Sequence, residues 1–238
     1  MSRAGASRLL LPALCAIGVI LFASLGIWQI ERLAWKRDLI ALVEARLAAP
    51  PTPLPPRSGW SALASRHGEY RKIRLAGAFR HDAETLVDAL TERGPGFWVL
   101  TPLETAQGPV LINRGFIPPE RRTPASRQAG QIVGPTVITG LLRLSEPEGR
   151  VLRPNDPVND RWFSRDVAAI AAARGVTGPA PFFVDADASP NPGGWPVGGM
   201  TVVRFRNSHL VYALTWFALA ALSATGLVLI LRTKHQRG

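Results

Sequence analysis

Leu9–Ile30 reads LLLPALCAIGVILFASLGIWQI, and Leu210–Leu231 reads LVYALTWFALAALSATGLVLIL; each is a run of 22 residues without a charged side chain. About 20 apolar residues cross a bilayer as helix. Core helices of soluble domains are seldom apolar over such a length. A cleaved secretory signal fits Leu9–Ile30 poorly, because Phe22-Ala23-Ser24-Leu25-Gly26 is followed by more apolar sequence. The expectation is two transmembrane helices, 9–30 and 209–231, with residues 31–208 between them.

Two spans place both tails on one side. The tails, 1–8 and 232–238, carry Arg3, Arg8, Arg232, Lys234 and Arg237 and no acid. The positive-inside rule assigns them to the cytoplasm and residues 31–208 to the periplasm. Arg32, Lys36, Arg37, Arg204 and Arg206 lie on the opposite side, but long translocated domains largely escape the charge rule. Only eight residues precede the first span, which leaves no Arg-rich presequence and favours a bacterial cytoplasmic (inner) membrane. The 238 residues are 47% apolar and 19% charged, which excludes a mainly disordered chain. The formal charge of +11 sits largely in tails and membrane flanks, with no basic stripe interleaved with aromatics, so no nucleic-acid partner is expected. The lone Cys15 excludes an intramolecular disulfide, a Cys-x-x-Cys pair and a thiolate zinc cluster.

Beyond the first span, 31–49 continues as helix, with Trp28, Trp35 and Leu42 recurring at seven. That stripe is expected to dock the extended helix on the outer domain. Five prolines in 50–56 stop it and form an extended arm. A short helix at 61–67 comes next. Strands are expected at 70–75, 85–89, 97–103, 110–113, 136–144, 182–185 and 201–205, and a helix at 161–173. Residues 188–199, rich in Pro and Gly, read as a surface loop. The fold class is α+β: two transmembrane helices flanking a mixed, antiparallel-strand-rich periplasmic domain.

Catalytic signatures are missing: no Gly-x-Ser-x-Gly, no His-Glu-x-x-His, no P-loop. Asp185-Ala-Asp187 begins like a calcium loop, but Pro190 and Pro196 stand where Gly and Glu are needed. Asp156, Asp160 and Asp166 read as caps and turn residues. His67 and His81 read as surface residues. His209 differs: it stands at the head of the second span, with only apolar or uncharged residues beyond it to Leu231. Two readings are open, an interfacial decoration or a metal or haem ligand. Residues seven apart on a helix differ by about 700°, roughly 20° short of two turns, and by about 10.5 Å along the axis. Trp216 therefore shares the face of His209. Tyr212 and Ala213 lie between them and Ala220 continues the stripe, whose small residues let another helix or a flat ligand approach.

At these residues the chain resembles a known family. Asn207-x-His209-x-x-Tyr212-Ala213-x-Thr215-Trp216-Phe217-x-Leu219-Ala220 resembles the C-terminal signature of the Surfeit locus 1 family. Gly26-Ile27-Trp28-Gln29-Ile30-Glu31-Arg32-Leu33-Ala34-Trp35-Lys36 is similar to its N-terminal signature. Thr101-Pro102-Leu103 with Leu111–Pro118, Asn155-Asp156-Pro157 with Trp162-Phe163-x-x-Asp166, and Pro196-x-Gly198-Gly199 with Thr201 resemble three internal blocks. Met200 and Val202 stand where the family pattern has Gln and Arg. The resemblance implies an assembly factor for haem–copper cytochrome c oxidase with no catalytic turnover. Its implied partners are the largest oxidase subunit, the proteins that make or deliver haem a, and the lipid bilayer. It further implies haem a as cofactor, with His209 as iron ligand and Trp216 beside it; Tyr212, which lies between them on the helix, is a further candidate contact. The alternative is a cofactor-free scaffold for an assembling oxidase subunit.

Overall fold

The computed structural model describes residues 3–65, 68–149, 153–203 and 205–235. In chain order the elements are α1 (Arg3–Ala48), β1 (Thr52–Pro53), α2 (Trp60–Leu63), β2 (Lys72–Phe79), β3 (Thr85–Thr91), β4 (Gly94–Thr105), β5 (Gly108–Ile117), β6 (Pro135–Leu144), α3 (Val167–Ala173), β7 (Phe182–Ala186) and α4 (His209–His235). Short 3-10 turns fill several of the connections. The chain forms two compact units: Met1–Val43 with Val203–Gly238, and Glu44–Val202. The expected domain 31–208 thus corresponds to a compact body, 44–202, with flanks that belong to the helical unit.

In the helical unit, Leu10–Ala48 and His209–Thr233 are each long and apolar enough to cross a membrane. Their apolar side chains face outward: Ile20 is 69% and Leu222 70% exposed. A core helix of a soluble domain buries such residues, so the exposure supports a membrane protein. The stripe expected to pack α1 is not its packed face. Trp28, Trp35 and Leu42 are all exposed, and α1 instead buries Gln29, Leu33 and Val43. Seven-residue spacing fixes which residues share a face, not which face meets protein. Trp28 and Trp35 flank the Arg32 guanidinium, which lies 6.0 and 4.8 Å from their rings.

The second unit is built on a seven-stranded mixed sheet in the order β1-β2-β6-β7-β5-β4-β3. The pairs β1–β2 and β5–β7 are parallel and the others antiparallel. The end of β2 also pairs with β4, from Gly77–Thr105 to Phe79–Leu103, which closes five strands into a ring. Gly77 permits this closure, because a Cβ there would overlap the Glu104 carbonyl oxygen. Strands β5 and β7 are buried on both faces. Val110, Ile112, Phe182 and Val184 join one core cluster with Trp60, Ile73, Leu75, Leu103 and Leu142. Leu111 and Phe183, one residue out of phase, join a second with Val87, Leu100, Trp162, Val167 and Ile170. Adjacent residues of a strand point to opposite faces, which explains why Val110–Ile112 reads as an unbroken apolar run.

Several expected boundaries move. The helix expected at 161–173 begins only at Val167, because Asp166 is its N-cap and accepts from the Ala169 amide at 3.1 Å. Trp162 instead bridges Val87 in an extended conformation. Thr201–Val203 form no strand, and Arg204 lies outside the described residues. The proline arm is extended as expected, and Thr52–Pro53 add to the edge of β2. The helix at 61–67 shrinks to Trp60–Leu63; its expected end at His67 lies outside the described residues. His81 is half-buried, with Nε2 2.8 Å from the Ile132 carbonyl oxygen, and is not a simple surface residue.

Candidate functional site

In the helical unit α1 and α4 run antiparallel, and the residue types at their contact explain the closeness. Gly26 faces Phe217 so tightly that a Cβ would lie 2.6 Å from the ring. Ala213 is fully buried. Small residues at a contact let helix backbones approach. Phe22 and Trp216 stack with ring centroids 5.8 Å apart and planes within 19°. At the end of the pair, His209 Nδ1 lies 2.7 Å from the amide oxygen of Gln29.

The structure therefore puts His209, Ala213, Trp216 and Ala220 on one flank of α4, the side that meets α1. Tyr212 is 53% exposed and stands off that contact. His209 is the first residue of α4 and only half-buried. Its Nε2 has no hydrogen-bond partner among the described residues. An imidazole anchored through one nitrogen with the other open has the donor arrangement of a metal-bound histidine. His209 could thus offer Nε2 to a metal centre. No cluster of three or more His, Cys, Asp or Glu side chains suited to a metal ion occurs among the described residues.

A second polar centre lies in the strand unit around Asp185 of β7, which is 4% exposed. Its Oδ1 accepts from Asn113 Nδ2 at 2.7 Å and Arg165 Nη1 at 3.3 Å. Its Oδ2 accepts from Thr201 Oγ1 at 2.8 Å and Arg143 Nη1 at 3.2 Å. Each arginine also holds a second acid: Arg143 pairs with Glu69 and Arg165 with Glu146. Burial works against the charge of Arg165, yet its hydrogen bond to Glu146 and the nearby Asp185 and Glu146 charges leave its pKa raised. Glu146 shows the reverse: burial pushes its carboxyl up, and Arg165 bonds with the Arg143 charge bring it below its ordinary value.

Two further polar anchors lie in the strand unit. Asn155 Oδ1 accepts from the amides of Phe163 and Ser164 at 2.8 and 3.1 Å, which pins the turn before α3. Arg114, 2% exposed, donates to the Gly130 carbonyl and lies 3.9 Å from Glu84. Burial pulls its guanidinium down to about 10, with Glu84 opposing the shift and Arg127 adding to it.

Sequence reasoning named His209, Trp216 and Tyr212 but gave no role to Gln29, Asp185, Arg143 or Arg165. Gln29 carried a signal, being the most polar side chain in an uncharged run of 22 residues. Asp185 carried little, because its four partners come from four distant segments.

A model of the SURF1 family matches residues 16–221. Surfeit locus protein 1 of Homo sapiens is 37% identical over 215 residues, covering 83% of this chain and 69% of the relative. The protein of that name in Mus musculus is 36% identical over 214 residues, covering 83% and 68%. A SURF1-like protein of Monosiga brevicollis is 34% identical over 239 residues, covering 94% and 88%.

Proposed function

Since the chain belongs to the SURF1 family, we propose that it is a membrane assembly factor for haem–copper cytochrome c oxidase that holds haem a for the largest oxidase subunit. One observation carries the haem reading: His209, at the head of an apolar helix, presents an Nε2 that has no hydrogen-bond partner among the described residues, on the flank that bears Trp216 two turns deeper. The cofactor, when bound, supplies an iron centre for transfer to the oxidase. The protein's own part is to hold and shield it. His209 offers a ring nitrogen, Trp216 offers an apolar indole, and Tyr212 offers an exposed ring on the adjoining face. The exposed side chains of Leu210, Val211 and Leu214 supply further apolar surface. The reading involves no catalytic turnover. It places the protein in a bacterial cytoplasmic membrane beside haem a synthesis or delivery proteins, with both tails cytoplasmic. The basic tails support that orientation.

A second reading has its own support. His209 and Trp216 already have partners within the protein, Gln29 and Phe22. Both side chains would then serve the helix pair of a cofactor-free scaffold that stabilises an assembling oxidase subunit. Haem a content of the full chain, purified from cells that make haem a, separates the two. About one haem per chain supports the carrier, and none supports the scaffold.

A further inference from the structure

Gln29 is the residue to explain. It is 9% exposed, near the end of the uncharged run of α1. Withdrawing an amide from water costs free energy unless it is hydrogen-bonded. Among the described residues its side-chain partner is the His209 ring, at 2.7 Å.

The chemistry of that contact is directional. The atom of Gln29 that faces the ring is Oε1, and an amide oxygen only accepts. A hydrogen bond at this contact requires the tautomer in which Nδ1 of His209 carries the proton and donates. In a neutral imidazole the lone pair then resides on Nε2, the nitrogen without a partner among the described residues. The neighbouring contacts hold this arrangement in place. Gly26, one turn before Gln29, abuts Phe217, and Leu33, one turn after it, is buried. A shift of α1 against α4 that broke the Gln29 bond would also disturb these contacts.

We propose that Gln29 is a positioning residue that fixes the Nδ1–H tautomer and the ring orientation of His209, so that Nε2 is preset as the ligand atom. The proposal rests on the haem-holding reading for its biological purpose. Its chemical content, the tautomer, stands without the cofactor. It makes the two membrane helices joint owners of one ligand: α4 supplies the nitrogen and α1 aims it. Partners of this kind, which hold the far nitrogen of a metal-bound histidine, typically contribute about 10–100-fold to metal affinity.

The test uses the full chain in detergent as wild type, Gln29→Leu, Gln29→Glu and His209→Ala. Nitrogen-15 spectra of protein from cells that make no haem a report the ring tautomers. The chain has four histidines, and His209→Ala identifies the relevant signals. In the wild type Nε2 should show the shift of an unprotonated nitrogen. In Gln29→Leu the proton should spread onto Nε2, and Gln29→Glu, which keeps an acceptor, should restore the wild-type tautomer. Titrated with haem a, Gln29→Leu should bind about 10–100-fold more weakly and lose the axial-ligand signature in its absorption spectrum. Gln29→Glu should keep that signature and shift the iron's potential negative. Should Gln29→Leu fail to accumulate, Gln29→Met takes its place. Identical ring shifts in the wild type and the Leu or Met variant overturn the proposal, whatever the haem result. A wild-type chain that takes up no haem a overturns the haem-holding reading instead, equal haem a content with an identical spectrum in His209→Ala overturns His209 as the ligand, and in either case the ring shifts decide the role of Gln29 alone.

Discussion

Replacing Asp185 by alanine should destabilise the strand unit more than any surface change. The carboxylate is 4% exposed and accepts four hydrogen bonds, from Asn113, Thr201, Arg143 and Arg165. Breaking a buried ion pair by removing one partner costs roughly 3–5 kcal/mol. Here each arginine keeps a second acid, Glu69 or Glu146, so neither guanidinium is left wholly uncompensated. The expected loss is therefore about 3 kcal/mol, at the low end of that range. That is a large part of the roughly 5–15 kcal/mol that holds a domain folded. Asp185→Asn preserves volume but offers one acceptor oxygen, and its new N–H groups face two donors. It should cost nearly as much as alanine. Denaturant unfolding of the full chain in detergent, followed by tryptophan fluorescence, measures both, because Trp60 and Trp162 are buried in this unit. The reasoning is refuted if both variants unfold within about 0.5 kcal/mol of the wild type, the usual span of a surface change.

Three other outcomes are expected. A reporter enzyme active only in the periplasm should work when inserted at 189–194 and stay silent when fused after Gly238; the reverse pattern would invert the topology. Trp35 is half-exposed, so Trp35→Ala should change stability by no more than about 0.5 kcal/mol, and a larger loss in thermal unfolding would show that the ring packs against protein. Glu146 is held below its ordinary value of 4.5, because the Arg165 bonds outweigh the upward push of burial. The unfolded chain thus takes up this proton first as the solution is acidified. The stabilisation is present above 4.5 and disappears as the pH falls through the lower folded value. Glu146→Gln should accordingly lower stability at neutral pH and soften the acid limb of the stability curve, and an acid limb matching the wild type's would contradict this assignment.

The membrane helices and most strands were legible because each signal is local. Twenty-two uncharged residues, or Val110-Leu111-Ile112 between glycines, report their own state. The shared flank of His209 and Trp216 was legible for the same reason, since helical spacing alone places one two turns from the other. What stayed hidden depends on tertiary partners. The ring closure of β2 onto β4 needs Gly77 to meet Glu104, and nothing near Gly77 in sequence announces that strand. The helix at 161–173 looked longer because Arg161–Arg165 has no breaker; the bridge of Trp162 to Val87 decides its conformation. The Trp28–Trp35–Leu42 stripe was seen, but its direction was misjudged. Periodicity cannot distinguish the face that meets α4 from the face left open, and Gln29, bonded to His209, occupies the former.

Absorption spectra of the wild type and His209→Ala, both purified from cells that make haem a, test the haem assignment most directly. The wild type should carry about one haem a per chain with the signature of a nitrogen-ligated iron. Burial of the macrocycle is mostly hydrophobic, so His209→Ala should retain part of the haem, with a changed spin state and weakened binding. Equal haem a content with an identical spectrum in the two proteins would contradict the assignment of His209 as the ligand.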